Sequence, residues 1–139
     1  MKKKTLVKSI LSLALAACVA FPSIAGAEYD NFEGSVSGKK TVESSFKVDP
    51  GYGYVKLWFK NKGKNDVTIT VKNIDTGKKY LTITLKSGKS YTWRSVNDWK
   101  GKAVGAGEYK VTYRDGSGGS VNVDYAGFSS NDEDEGRDA

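Results

Sequence analysis

The sequence predicts an all-β fold: a single antiparallel β-sandwich, Ig-like or jelly-roll-like, of about seven to eight strands. Three observations carry this. Beyond residue 28, apolar residues recur at every second position through most of the chain, the period of a strand with one buried face. Short runs of Asn, Asp, Pro and Gly interrupt that pattern at close intervals, supplying turn chemistry. Beyond residue 28, no ten-residue window shows helical periodicity with caps.

Taken in order, residues 1–27 read as a secretory signal peptide. Lys2, Lys3, Lys4 and Lys8 form a basic start, Ile10 to Ala20 an apolar stretch, and Ala25-Gly26-Ala27 a small-residue end. The apolar stretch is shorter than the roughly 20 residues of a membrane span. The alternative is a lipoprotein signal ending before Cys18, because Leu15-Ala16-Ala17-Cys18 resembles a lipobox. Contact with a membrane is expected only if Cys18 is lipidated. Residues 28–129 form the sandwich domain. Its strands are marked by a weak first segment, Phe32 to Ser37, then by Val42/Ser44/Phe46/Val48, Val55/Leu57/Phe59, Val67/Ile69/Val71 and Leu81/Ile83/Leu85. Tyr91/Trp93, Tyr109/Val111/Tyr113 and Val121/Val123/Tyr125 follow. The breaks "DPGYG", "NKGKND", "DTGKK", "SGKS" and "DGSGG" are short, which favours antiparallel hairpins over parallel crossovers. Residues 130–139 are acidic and poor in aliphatic side chains, and read as a disordered tail.

Composition removes whole classes of chemistry. The chain has no histidine and one cysteine, Cys18. Once the signal is cleaved, Ser–His and Cys–His nucleophile pairs, imidazole bases, common zinc sites and disulfides are all out of reach. Glu33, Glu43, Asp49, Asp98 and Glu108 are carboxylates, but their spacing does not converge as a glycosidase pair requires. The expectation is a protein that is not an enzyme. No cofactor or metal is expected, since Asn97, Asp98 and Glu108 lack EF-hand spacing. Residues 28–131 hold 17 basic and 11 acidic side chains, whereas the "NDEDEGRDA" end holds five acids and one arginine. A basic body with an acidic tail is a statement about partners.

The candidate site is "YGYVKLWFKNK". If Val55, Leu57 and Phe59 face the core, then Tyr52, Tyr54, Lys56, Trp58 and Lys60 face the other way. Aromatics spaced along a strand with lysines between them suit a glycan or an anionic polymer. The competing reading is that the row packs beneath other chain segments, with its lysines guarding a sheet edge. Lys72, Lys78, Lys79, Lys86, Lys89 and Lys110 extend the positive field. The functional expectation is therefore a secreted, extracellular binding or structural module of the bacterial cell envelope or matrix. Its partner would be an anionic or glycan polymer, with no specific nucleic acid. The acidic tail would compete for the basic face. The alternative is a secreted antimicrobial, toxin or protease inhibitor.

One connection stands apart. In "WRSVNDWKGKAVGAGEYKVTYRDG" (93–116), Asp98, Gly101, Val104, Gly107 and Tyr109 fall on the steps of a pattern that also has a tryptophan, here Trp93, one residue further back. Arg94-Ser95 stands where that pattern has Asp-Gly. The stretch resembles the Ig-like domain of the flagellar hook-capping family and similar modules of secreted bacterial proteins. The resemblance covers about residues 93–109. It implies an Ig-like sandwich and a packing role for the loop, and it implies nothing about flagella.

Overall fold

The computed structural model describes residues 29–95 and 103–132. The segment 1–27 read as a signal, with Cys18, together with Asn97, Asp98 and Gly101 of the glycine-rich connection and residues 133–139, lies outside the described residues. Eight strands are present: β1 (Tyr29–Lys39), β2 (Thr41–Val48), β3 (Tyr54–Asn61), β4 (Val67–Asn73), β5 (Lys79–Leu85), β6 (Ser90–Arg94), β7 (Gly107–Arg114) and β8 (Ser120–Ser130). They form two four-stranded sheets, ordered β1-β8-β3-β6 and β2-β7-β4-β5. Every ladder is antiparallel.

That order is the jelly roll, the second of the two arrangements expected from the sequence. It also changes the meaning of the short breaks. Among consecutive strands only β4 and β5 pair as a hairpin; each of the other connections passes from one sheet to the other. Packed sheets lie only about 10 Å apart, so a loop of a few residues bridges them as readily as it closes a hairpin.

The core is built by alternation. Val55, Leu57, Phe59, Trp93, Val121 and Val123 point inward from the first sheet; Phe46, Val48, Val67, Ile69, Val71, Tyr109, Val111 and Tyr113 meet them from the second. Rings tie the layers together. Phe32 stacks on Phe46 with centroids 4.8 Å apart, and Phe46 stacks on Tyr109 at 5.0 Å. Phe59 meets Tyr113 edge-on at 6.0 Å. The buried Tyr113 hydroxyl shares a 2.8 Å hydrogen bond with Ser44 Oγ, which satisfies a polar group that would otherwise be costly to bury.

The first strand is longer than the weak segment its sequence marks. Inward positions 34 and 38 are glycines, and a Cβ on Gly34 would fall 2.7 Å from the Tyr125 hydroxyl. The large side chain on β8 thus fills space that β1 leaves open. At the other end of the chain, Ser129 and Ser130 are buried within β8, so the strand runs through the first residue assigned to the tail.

Candidate functional site

The period-two reading of β3 holds from residue 54. Val55, Leu57 and Phe59 are each 1% exposed, while Tyr54, Trp58 and Lys60 are half-buried on the opposite face. Two of the five candidate residues sit differently. Tyr52 lies in the turn before the strand, where its backbone N–H donates to Asp49 O at 2.9 Å, and its ring packs against the core. Alternation begins only where the ladder does, so Tyr52 is not part of the row. Lys56 shares the outer face but is 7% exposed. It pairs in register with Phe128 on one side and Arg94 on the other. The row therefore narrows to Tyr54, Trp58 and Lys60. Trp58 lies between Ala126 and Thr92, and Lys60 between Asp124 and Ser90.

A larger basic surface emerges where Lys60 leads. Four connections lie side by side at this end: β1–β2, β7–β8, β3–β4 and β5–β6. Hydrogen bonds from the loops or from the strand ends beside them join each to the next. Lys40 N–H donates to Gly119 O at 2.8 Å and Lys40 O accepts from Asp115 N–H at 2.7 Å; Lys62 N–H donates to Asn122 O at 2.8 Å; Gly88 N–H donates to Asn61 O at 2.8 Å. Ser87 Oγ adds a 2.6 Å bond to Gly63 O. The result is a ridge across the end of the sandwich. Along it stand Lys39, Lys40, Arg114, Lys62, Lys64, Lys86 and Lys89, all exposed. With neighbouring strands about 4.8 Å apart, four adjacent connections span roughly 15 Å.

Two features fix the ridge. Asn61, fully buried, donates through Nδ2 to Asn65 O at 2.8 Å and Leu85 O at 2.9 Å, and its Oδ1 accepts from Gly63 N–H at 2.9 Å. Asp115 is turned inward: its carboxylate accepts from Ser117 N–H at 2.8 Å, Ser117 Oγ at 2.6 Å and Asn65 Nδ2 at 2.9 Å. These bonds, the Ser117 hydroxyl first, hold its carboxyl below the usual carboxylate range. Asp124, also buried, is engaged by Ser35 Oγ at 2.6 Å and Lys62 Nζ at 3.0 Å. Three carboxylates thus stand near seven cations: Asp66, exposed, and Asp115 and Asp124, both committed to internal bonds. The ridge keeps a positive balance. Open depressions flank the β7–β8 turn, one beside Lys64 and Asp66, the other beside Lys40 and Arg114.

Lys40 itself has φ 64°, a left-handed conformation unusual for a residue other than glycine, asparagine or aspartate. The two backbone bonds to Gly119 and Asp115 hold it there. Strain of this kind concentrates at functional sites.

Sequence reasoning named Lys86 and Lys89 but not Lys39, Lys40, Lys62, Lys64 or Arg114. Lys72 and Lys110 fall instead on the outer face of the second sheet, where Lys110 lies 3.7 Å from Glu43. Lys78 and Lys79 belong to the opposite end of the molecule, with the β4–β5 turn. Among the described residues, no three His, Cys, Asp or Glu side chains gather as a metal-holding group. In the glycine-rich connection, the described residues Trp93, Val104 and Tyr109 are all buried in the core, and Val104 N–H donates to Gly53 O at 2.8 Å.

No protein-family model matches the chain, and a search of curated proteins finds no match. Several solved structures are similar at a low level. The periplasmic inhibitor of g-type lysozyme, PliG, from Aeromonas hydrophila is 13% identical with a TM-score of 0.42, covering 78% of this chain and 91% of that one. A Bacillus endospore-appendage pilus protein is 13% identical with a TM-score of 0.43, covering 88% and 96%. The family 11 carbohydrate-binding module of Clostridium thermocellum, in complex with a mixed-linked tetrasaccharide, is 14% identical with a TM-score of 0.36, covering 78% and 91%. Similarity of this order carries no function to the present chain.

Proposed function

We propose that this chain is a secreted, non-catalytic binding module of the bacterial cell envelope or matrix that engages an anionic polymer. The observation that supports this reading is the ridge: four connections, hydrogen-bonded to one another, bring seven exposed cations onto one edge. A linear polyanion laid across it meets successive cations at strand spacing. Trp58 and Lys60 continue the same positive surface down the outer face of the first sheet, and a half-buried indole there offers a stacking plane to a sugar ring.

The test is retention on purified anionic cell-wall polymer as salt is raised, comparing wild type with Lys40→Gly, Lys64→Gln, Lys89→Gln combined. Each cation that displaces a counter-ion steepens the fall of log affinity with log salt, so losing three contacts flattens the slope by roughly 2. Trp58→Ala, measured alongside, lowers retention on glycan-containing polymer without altering that slope. An unchanged slope in the triple variant overturns the reading. Inhibition of a protease or of a competing cell at low concentration would favour the secreted inhibitor or toxin instead.

A further inference from the structure

The acidic end of the chain is on the wrong side of the molecule to meet its own ridge. Ser130, the last residue of β8, pairs with Tyr29 and Tyr54 at the opposite end of the sandwich, and its Oγ accepts from Asp132 N–H at 3.0 Å. The acidic run Asp132-Glu133-Asp134-Glu135 begins there. Lys62, one of the nearer ridge residues, bonds the backbone of Asn122, eight residues back along β8, a distance of roughly 27 Å at strand rise. To approach it, the chain beyond Ser130 must first reverse. Extended backbone adds at most about 3.6 Å per residue, so the backbone of the run through Glu135, five residues beyond Ser130, spans at most about 18 Å and does not cover that distance. Exposed cations at the run's own end of the molecule include Lys78 and Lys79 at the β4–β5 turn, and the ridge of the same molecule lies beyond the backbone reach of residues 132–135.

A second copy has no such limit. We propose that the ridge of one molecule takes the acidic run 132–135 of another in a head-to-tail contact. The carboxylates of that run have the sign that the ridge cations attract, and the ridge and the start of the run lie at opposite ends of the molecule. Such a contact is heterologous: it leaves each molecule with one ridge and one tail still open, so it propagates as open chains instead of closing as a dimer. It is screened by salt, and it competes with polymer for the same cations. The proposal rests on the ridge being an anion-binding surface, and adds the partner.

Sedimentation velocity on the purified protein at low ionic strength tests it. Wild type shows a weight-average mass that rises with concentration, and the rise is lost at high salt. It is also lost in the ridge variant (Lys40→Gly, Lys64→Gln, Lys89→Gln) and in a tail variant (Asp132→Asn, Glu133→Gln, Asp134→Asn, Glu135→Gln). Mixing the two variants restores pairs only, because one supplies the tail and the other the ridge, and neither complex can extend. A wild type that stays monomeric at low salt, or a tail variant that associates as wild type does, overturns the proposal. Retention on polymer separates the two readings: a tail variant that binds polymer fully while wild type fails to self-associate sinks this inference alone. A ridge variant that loses self-association but keeps full polymer retention sinks the polymer reading alone.

Discussion

At the ridge end, Asn61 closes β3 by donating to two backbone carbonyls and accepting from Gly63 N–H. At the opposite end, Asn73 closes β4 in the same way. Its Nδ2 donates to Ala106 O at 3.2 Å, and its Oδ1 accepts from Asp75 N–H at 2.9 Å and Thr76 N–H at 3.2 Å. Both asparagines are buried to 1% or less. The surfaces they support differ sharply. One end presents seven cations. The other is mixed, with Asp49, Asp75 and Glu108 beside Lys47, Lys78, Lys79 and Arg94, and it is where the acidic run leaves the fold. A buried amide shapes a loop whatever the loop carries, so the architecture of the two ends is shared and their charge is independent of it.

The comparison breaks most sharply when the amides are removed. Asn61→Ala and Asn73→Ala each remove three hydrogen bonds to loop backbone and empty a buried side-chain site, and each is expected to cost roughly 1–3 kcal/mol. Urea unfolding should show a lowered midpoint for both, with little change in slope. Their effects on polymer retention should diverge: Asn61→Ala loosens the β3–β4 loop that carries Lys62 and Lys64, whereas Asn73→Ala leaves the ridge untouched. Equal loss of retention in both variants would mean that retention reports global stability and not the ridge.

Much of this was legible in the sequence. Strand-by-strand alternation from β2 to β8 needed only period two, and the glycine-rich connection turned out to supply Trp93, Val104 and Tyr109 to the core. The ridge was legible too, by an argument from parity. Successive antiparallel strands run in opposite directions, so the first, third, fifth and seventh connections share an end. Those are "GKK", "NKGKND", "KSGKS" and "RDGSGG", and they hold all seven cations. Hidden from sequence were features decided by three-dimensional neighbours. The length of β1 is masked by Gly34 and Gly38, whose inward space is taken by Tyr125 of β8 and Val42 of β2 respectively. The burial of Lys56 depends on Phe128 and Arg94, residues far away in the chain. The choice of jelly roll over Ig-like order rests on which sheet each short loop enters, and loop length does not encode that.

Titration should loosen the two ends at opposite extremes of pH. Burial raises the Tyr109 hydroxyl well above the ordinary tyrosine value, and that hydroxyl donates to Gly105 O at 2.5 Å in the connection far from the ridge. Burial raises Tyr113 in the core as well. A group whose folded pKa is raised contributes stability that is present below its unfolded value, about 10, and is lost as pH climbs above it. Asp115 has the opposite sign: its pKa is depressed, so its contribution is present above an unfolded value of about 3.9 and is lost as pH falls through the lower folded value. Hydrogen exchange should therefore show residues 114–119 losing protection first in acid, and residues 103–109 first in alkali. Simultaneous loss at either extreme would show that the ends are not independent units.

The smallest effect separates two lysines on one loop. Lys64 is exposed and borders Asp66, so Lys64→Gln should change stability by no more than about 0.5 kcal/mol. Lys62 is exposed as well, but its ammonium lies 3.0 Å from an Asp124 whose side chain is 3% exposed. An ion pair with one partner in solvent is weak, yet removing the lysine leaves a buried carboxylate supported by Ser35 with its countercharge gone. Lys62→Gln is expected to cost about 1 kcal/mol, and an added Asp124→Asn should recover most of that loss, since an amide keeps a polar atom beside Ser35 without a charge to solvate. Both single lysine variants remove one cation from the ridge, so both should flatten the salt dependence of polymer retention to a similar degree. Matching losses of binding from variants with unequal stability would separate the ridge's charge from its fold; binding loss that instead tracks stability would make the cations structural.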